Sequence, residues 1–297
     1  MKLFKKSTAL IMTFCIIVAA FAGCGKNKDD ADKGKKPNAP KSAKVKVIDI
    51  KLTQEEYAFG VDKNQPELLK QVNDFIAEIK ENGVFDEICN KYFGDGTPTA
   101  VESAQLDKSK DQLVVATNAA FEPFEFKKGD KYYGIDMEIA AALAKKLGKE
   151  LVIQNMKFDS VCLSVGQHQC DIAMAGLTVN EKRKEYVQFS SAYYQASQKL
   201  VVKADDTTFD KCKTVEDVEK ILNSFDNTTK IGYQTGTTGE FYVKGNKEWE
   251  FDGFKVTPKN YDNGSLAIQD VINNNIDFVI IDEAPADHIV KSINSLA

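Results

Sequence analysis

The fold is decided by residues 113–155, which read LVVATNAAFEPFEFKKGDKYYGIDMEIAAALAKKLGKELVIQN. An apolar run of strand length opens this stretch at 113–116, and a second run follows at 151–153. Between the two runs, apolar side chains recur at near-helical spacing, at Met137, Ile139, Leu143 and Leu147. Gly148 stands where such a helix would end. A strand, a helix and a second strand in this order predict a parallel βαβ unit.

The same alternation continues through the rest of the chain. Further strands are predicted at 171–177, 200–202, 230–233, 254–256 and 276–281. Helical stretches are predicted at 161–165 and near 215–224, 239–244, 264–274 and 284–294. Strands separated by helix-length segments predict an α/β protein. Because the strands form two groups that join near residue 200, we expect two lobes, each a mostly parallel sheet flanked by helices.

The segment 45–94 precedes this alternation and is not expected to form a domain of its own. It carries predicted strands at 45–52 and 57–61 and a long helical region over 66–93 that breaks at Gly83. Fifty residues with so few elements cannot bury their apolar faces alone, so this segment should dock on the rest of the chain. Residues 95–111, which follow, are polar and turn-rich, and predict a flexible connector.

The composition excludes several classes of function. The chain has 297 residues, of which 43% are hydrophobic and 28% charged, so it is neither a polytopic membrane protein nor disordered throughout. With 39 basic against 44 acidic residues it has no excess of positive charge for nucleic acid. Two histidines and six scattered cysteines predict neither a metal site nor a cofactor. Cys162 and Cys170 are near enough in sequence to form a disulfide, although Cys162 could equally pack within a helix.

The N-terminal residues have the features of an export signal. Lysines precede the apolar run 7–22, and the sequence FAGC at 21–24 ends it. This arrangement resembles the bacterial lipoprotein signal, in which Cys24 is acylated, for example with palmitate, and becomes the first residue. An ordinary export signal with an incidental cysteine is the alternative. We therefore expect a signal peptide at 1–23, a flexible tether at 24–44, and a protein anchored outside the cytoplasm to the cell membrane.

Five blocks of sequence carry a resemblance to a known family. They are VVATNAAFEPFEF (114–126), GIDMEIAAALAKKLG (134–148), FDSVCLSVGQHQCDIAMAGLTVNEKRKEYVQFSSAYY (158–194), IGYQTGTTGE (231–240) and IDFVIIDEAPA (276–286). In this order they resemble the amino-acid-binding proteins of ABC importers, family 3 of the bacterial extracellular solute-binding proteins. The resemblance implies a two-lobed, type II periplasmic-binding-protein-like fold. It also implies a monomer that closes on a free amino acid and docks on an ABC permease.

The order of the blocks departs from the family pattern. A segment like 57–94 lies at the C-terminus in the family, whereas here it comes first, and the chain ends where the family continues with a segment like 45–62. We interpret this order as a circular permutation, with 95–111 joining the old ends. A duplicated tail beside a truncated protein is the alternative.

The permutation predicts the lobe boundaries. The first lobe would comprise 57–199, including the connector, and the second would comprise 45–56 together with 200–297. Two strands would cross between the lobes, near 53–58 and 196–203.

The resemblance also implies the residues that hold the charged groups of an amino acid. Arg183 matches the arginine that binds the carboxylate, and Thr238 completes that site. Asp282 matches the group that pairs with the ammonium, while Gly176 and Thr178 supply a carbonyl and a hydroxyl. On the residues alone, Arg183 could be a surface arginine, and Thr238 and Asp282 could be helix caps.

The expected side-chain pocket differs from that of relatives that bind basic amino acids. Those relatives carry an acid and a tyrosine where this chain has Asn118 and Phe121. Asn118 cannot neutralise a cation, and Phe121 and Phe158 offer apolar ring faces. We therefore expect a neutral L-amino acid.

Two other functions remain open on the sequence. One is a dehydratase-like enzyme of the same fold, which would require a general acid or base in the cleft; Glu122 is the candidate. The other is a surface adhesin or a sensor receptor.

Overall fold

The computed structural model describes residues 45–296, so the predicted signal peptide, the tether and Cys24 lie outside the described part. The helices are α1 (Pro66–Glu81), α2 (Val84–Phe93), α3 (Ile135–Leu147), α4 (Phe158–Gly166), α5 (Glu181–Lys184), α6 (Val215–Leu222), α7 (Thr238–Lys244), α8 (Gly264–Ile272) and α9 (Glu283–Ser295). The strands are β1 (Val45–Ile48), β2 (Glu55–Tyr57), β3 (Gly60–Asp62), β4 (Gln112–Thr117), β5 (Ala120–Phe121), β6 (Glu125–Lys128), β7 (Lys131–Tyr133), β8 (Glu150–Asn155), β9 (Ile172–Ala173), β10 (Val187–Phe189), β11 (Tyr194–Ala196), β12 (Gln198–Lys203), β13 (Lys230–Gln234), β14 (Thr257–Tyr261) and β15 (Phe278–Asp282). None of these helices is long and apolar enough to span a bilayer.

The first five-stranded sheet has the order β10-β3-β9-β4-β8. Strands β4 and β8 run parallel, with Leu113 opposite Leu151. Helix α3 lies between these two strands in the chain. The βαβ unit predicted from 113–155 is therefore confirmed. Helix α3 ends where expected, because Gly148 adopts a left-handed conformation with φ +71° that favours glycine.

The second five-stranded sheet has the order β1-β12-β15-β13-β14. Strand β13 is parallel to β14 and β15, whereas β12 is antiparallel to β15 and β1. The first sheet is mixed in the same way, since β3 is antiparallel to β9 and β10. The α/β class and the mostly parallel sheets are confirmed, because four strands of each sheet run in one direction and one strand, β3 or β12, runs against them.

A two-stranded ribbon links the two sheets. Strands β2 and β11 pair antiparallel with Tyr57 opposite Tyr194. Along the chain β2 leads into β3 of the first sheet, and β11 leads into β12 of the second. The ribbon therefore lies where the chain passes between the sheets, beside the segments expected to cross.

The segment 45–94 completes both sheets, as expected. Strand β1 is an edge strand of the second sheet and β3 is an inner strand of the first. Phe75 and Ile76 of α1 belong to the same apolar cluster as Met137 and Ile139 of α3. This segment therefore shares its core with elements that come later in the chain.

The connector 95–111 packs against the rest of the protein and is hydrogen-bonded to it. Val101 exchanges two backbone hydrogen bonds with Tyr132, at 2.8 and 3.0 Å, and its side chain is buried. The Ala104 N–H donates to the carbonyl of Leu151 at 2.9 Å. The expectation of a flexible connector is wrong because these bonds fasten its middle to β7 and β8.

Two predicted strands are shifted or shortened. The strand expected at 254–256 lies instead at 257–261, because Phe254 and Val256 are buried in the loop before it. The strand expected at 171–177 pairs only at 172–173 and continues as a loop. The described cysteines, which are Cys89, Cys162, Cys170 and Cys212, are free thiols, so Cys162 and Cys170 form no disulfide.

Candidate functional site

A cleft forms where strands of both sheets reach their carboxyl ends. Asn118 follows β4 of the first sheet, whereas Gln234 and Asp282 end β13 and β15 of the second. These side chains are all buried. The carboxyl edge of an open α/β sheet is where such folds place groups that bind ligands.

Arg183 contacts groups from both sides of the cleft. Its short helix α5 begins at Asn180, whose side-chain oxygen accepts from the Arg183 N–H at 2.8 Å. The guanidinium donates from Nη1 to the Thr178 carbonyl at 2.6 Å and from Nη2 to the Gly236 carbonyl at 3.1 Å. It also lies 5.1 Å from the centre of the Phe158 ring, at cation–π distance. Arg183 is therefore a buried side chain of the cleft and not a surface arginine.

Asp282 is buried and held by two donors. Its Oδ1 accepts from the Tyr57 hydroxyl at 2.7 Å, and its Oδ2 accepts from Nε2 of Gln198. Burial raises the pKa of Asp282 to about 7, the negative charge of Glu55 adds to the rise, and Arg183 opposes it. Although Asp282 precedes α9, its side chain makes no capping hydrogen bond, so the helix-cap interpretation is wrong.

Thr178 and Thr238 meet across the cleft. The Thr178 hydroxyl donates to Oε2 of Glu55 at 2.6 Å, and the Thr238 hydroxyl lies 3.2 Å from that of Thr178. Thr238 is the first residue of α7, after a tight turn at Gly236 with φ +80°. The buried Thr238 hydroxyl thus faces Thr178 instead of capping its own helix.

Gly176 occupies a position where a larger residue would not fit. Its φ is +52°, and a Cβ there would lie 2.9 Å from Cε1 of Phe121. The Gly176 N–H donates to Oδ2 of Asp136 at 2.9 Å, and the Tyr193 hydroxyl donates to Oδ1 at 2.7 Å. Burial raises the pKa of Asp136 to about 7 despite these two hydrogen bonds.

A pair of amides links the two sheets beside these groups. Nε2 of Gln234 donates to Oδ1 of Asn118 at 3.0 Å, and Nδ2 of Asn118 donates to the Met156 carbonyl at 2.7 Å. Within residues 45–296, the buried Oε1 of Gln234 has no hydrogen-bond partner. The hydrogen-bonding partners of Asn118 are therefore neutral groups.

Two pockets adjoin the cleft. One of about 560 Å³ is lined by Glu55 and Thr178 and by the aromatic side chains of Tyr242 and Trp249, among others. The other, of about 80 Å³, lies against Arg183.

Four cleft residues were not predicted, namely Glu55, Tyr57, Gln198 and Gln234. The first three lie in or next to the ribbon β2–β11, and Gln234 lies two residues before the turn at Gly236. Glu122, the predicted candidate for a general acid, forms an ion pair with Lys128 at 4.0 Å and lies 3.7 Å from Nδ1 of His288, and its side chain is 39% exposed. Among the described residues, no group of His, Cys, Asp and Glu side chains is arranged to hold a metal ion.

Two characterised relatives are similar in sequence. The arginine-binding extracellular protein ArtP of Bacillus subtilis is 32% identical over 190 residues, which are 64% of this chain and 68% of that protein. The L-cystine-binding protein TcyJ of Escherichia coli is 28% identical over 205 residues, 68% of this chain and 71% of that one.

This chain also matches a solved structure and a family profile. An ancestral arginine-binding protein bound to arginine superimposes with a TM-score of 0.52 at 35% identity, covering 62% of this chain and 75% of that one. The two-lobed type II periplasmic-binding fold is thereby confirmed. Residues 3–95 and 113–277 match the profile of the bacterial extracellular solute-binding proteins, family 3. The chain belongs to this family.

Proposed function

We propose that this chain is the lipid-anchored, substrate-binding component of an amino-acid ABC importer, and that its two lobes close around a free, neutral L-amino acid. The observation that carries the proposal is that Arg183 and Asp282, two buried side chains that can carry opposite charges, lie in one cleft beside Thr178 and Thr238. A free amino acid carries one carboxylate and one ammonium. Burying these groups without charged partners would cost several kcal/mol, and this cleft provides both partners.

In the proposed complex Arg183 and Thr238 bind the carboxylate of the amino acid. The guanidinium has five N–H donors, of which two are engaged with the carbonyls of Thr178 and Gly236, so donors remain for a carboxylate. Asp282, the Thr178 hydroxyl and the Gly176 carbonyl would accept from the ammonium. Because Arg183 lies on α5, between β9 and β10 of the first sheet, and Asp282 ends β15 of the second, the ligand favours the closed arrangement of the lobes, which the permease would recognise.

The side-chain pocket favours a neutral amino acid. Asn118 and Gln234 are uncharged amides bonded to each other, and Phe121 and Phe158 supply apolar ring faces. The two relatives are named for arginine and for L-cystine, so the family includes proteins for basic and for neutral amino acids. An asparagine at 118 supports the neutral class, because a basic side chain would need a carboxylate there to compensate its charge.

The proposal includes the anchor, the permuted order and a monomeric state. The sequence FAGC at 21–24 supports acylation of Cys24, and ArtP, by name an extracellular protein, supports a location outside the cytoplasm. The permuted order is supported by the family profile, which matches in two separate segments, and by β1 and β3, which complete sheets formed by later residues.

The proposal can be tested with the full chain purified in detergent. Isothermal titration calorimetry against the twenty free L-amino acids should find that a neutral amino acid binds tightest. Arg183→Ala should weaken this binding by about 100-fold or more, since it removes a buried charged partner. Lys182→Ala, which alters the exposed neighbour, is the matched control and should leave binding unchanged. Tightest binding of lysine or arginine would refute the neutral class, and the lack of binding by any amino acid would refute the whole proposal.

A further inference from the structure

Glu55 lies beside Asp282 in the buried floor of the cleft. Both carboxylates are 5% exposed. Nε2 of Gln198 donates to both of them, to Oε1 of Glu55 at 3.0 Å and to Oδ2 of Asp282. The two oxygens are therefore no more than about 6 Å apart, because each lies one hydrogen bond from the same nitrogen.

Within residues 45–296, few positive charges face this pair of carboxylates. The groups around it are Gln198 of β12, Tyr57 and Thr53 on or before β2, Thr178 in the loop before α5, Arg183 of α5 and Glu125 of β6. Arg183 is the cation among them, and the proposed function assigns its remaining donors to the ligand carboxylate. Glu125 is fully buried, and burial together with the charges of Asp136 and Asp282 raises its pKa well above the ordinary value. The negative charge of Glu55 at this distance in a buried site therefore favours the protonated form of Asp282.

Glu55 also fixes the direction of the Thr178 hydroxyl. An ionised carboxylate only accepts hydrogen bonds. In the 2.6 Å hydrogen bond between Thr178 and Oε2 of Glu55, the Thr178 hydroxyl is therefore the donor. The lone pairs of the Thr178 oxygen are then directed away from Glu55, and one of them accepts from the Thr238 hydroxyl at 3.2 Å. A hydroxyl held in this way can accept from an ammonium, which has three N–H donors and no acceptor.

We propose that Glu55 is a further residue of the ammonium subsite, where its negative charge favours a proton on Asp282 and its carboxylate orients Thr178, and that the α-ammonium of the amino acid displaces this proton on binding. The inference rests on the proposed function and extends it. No covalent bond to carbon changes: the carboxyl O–H bond breaks, its proton passes to the solvent, and the ammonium takes its place between the two carboxylates.

The exchange makes binding depend on pH. Below the pKa of Asp282, the ammonium must compete with the proton, so the release of one proton weakens binding by about tenfold for each pH unit. Well above that pKa, binding no longer changes with pH. Because burial and Glu55 raise the pKa of Asp282 to about 7, the change falls in the neutral range.

Equilibrium dialysis of the full chain in detergent against an equimolar mixture of the neutral L-amino acids, at pH 5.5, 6.5, 7.5 and 8.5, tests the inference. Mass spectrometry of the retained amino acid measures the affinity at each pH. The affinity should fall about tenfold per unit below pH 6.5 and level off above pH 7.5. In Glu55→Gln, which leaves an oxygen to accept from Thr178, the fall should begin at least about one pH unit lower.

Glu56→Gln is the matched control. Glu56 is the next residue of β2, is exposed, and accepts from Nε2 of Gln195 at 2.9 Å, so the wild-type profile should persist in this variant. If an amino acid binds with equal affinity from pH 5.5 to 8.5 in the wild type, the inference is overturned while the proposed function stands, whatever the variants do. If no amino acid is retained at any pH, the proposed function fails and the inference fails with it.

Discussion

Nδ2 of Asn294 donates a hydrogen bond to the backbone carbonyl of Val45 at 2.9 Å, although 249 residues separate the two. Asn294 lies in the last turn of α9, and Val45 is the first residue of β1. The end of α9 and the start of β1 are therefore neighbours in space. This proximity is what a circular permutation requires, because the family order would connect these two elements directly.

A rearranged chain should consequently fold as well as the natural one. We expect a variant that runs from 112 to 296, continues through a short Gly-Ser linker into 45, and ends at 111 to melt within a few degrees of the natural chain. Its packed contacts are unchanged, and loop lengths affect stability only weakly. Thermal unfolding followed by circular dichroism, with a ligand-binding assay, measures both properties.

The matched control is the chain 112–296 alone. It should not fold stably, because it lacks β1 of one sheet and β3 of the other. A rearranged chain that aggregates, or that folds but has lost the binding of the natural chain, would contradict the permutation.

Much of this fold could be predicted because its signals are local. The run 113–155 shows a strand, a helical period and a terminal Gly148, and each feature depends on residues within one element. The break at Gly83 between α1 and α2 has the same origin, since its φ of +82° suits glycine. The expectation that 45–94 docks on later elements came from its size, because fifty residues with so few elements cannot bury their apolar faces alone.

The missed features depend on contacts between distant residues. Glu55 lies in the cleft because it is hydrogen-bonded to Gln198, which is 143 positions later in the chain. No local sequence pattern predicts such a contact. The strand at 257–261 was predicted at 254–256 because Phe254 and Val256 are apolar. These two side chains are instead buried in the loop that precedes the strand. The roles assigned to the cleft residues by resemblance remain predictions.

The choice between neutral and basic ligands should depend on Asn118. Asn118→Asp would place a carboxylate beside Gln234, which can still donate to it. We expect the affinity for arginine, relative to the preferred neutral amino acid, to rise by about tenfold or more, because the carboxylate compensates the ligand cation. Calorimetry with both amino acids gives this ratio. Asn118→Ala, which removes the amide without adding charge, is the control; an unchanged ratio in Asn118→Asp would argue against a side-chain pocket at this position.

Gly176 should be far less tolerant of alanine than another glycine with the same backbone conformation. Gly176→Ala combines a φ of +52° with a Cβ that would lie 2.9 Å from the ring of Phe121, and should lower the free energy of unfolding by about 2–4 kcal/mol. Gly129 has a φ of +65°, but its added Cβ would meet no atom within 4 Å, so Gly129→Ala should cost about 1 kcal/mol. Urea denaturation of both variants separates steric overlap from backbone strain. Equal losses would show that Phe121 moves aside freely.

The stability of the protein should decrease as the pH rises through neutrality. Burial raises the pKa of Asp136 from 3.8 to about 7, so the folded protein holds a proton that the unfolded chain has already lost. The stabilising effect of this proton is complete below pH 3.8 and is lost as the pH rises through 7. Between these values the free energy of unfolding falls by up to about 1.4 kcal/mol per pH unit. Asp282 contributes with the same sign.

Asp136→Asn should therefore reduce this dependence without abolishing it. An asparagine oxygen can still accept from the Gly176 N–H, and the remaining slope belongs to Asp282 and Glu125, whose pKa values burial also raises. We expect the difference in the free energy of unfolding between pH 5 and pH 8, measured by urea denaturation, to be smaller in this variant than in the wild type. Asp130→Asn, at an exposed position in the turn between β6 and β7, should keep the full difference. If Asp136→Asn also keeps it, then Asp136 is ionised throughout this range in the folded protein, and the hydrogen bonds from Gly176 and Tyr193 outweigh the cost of its burial.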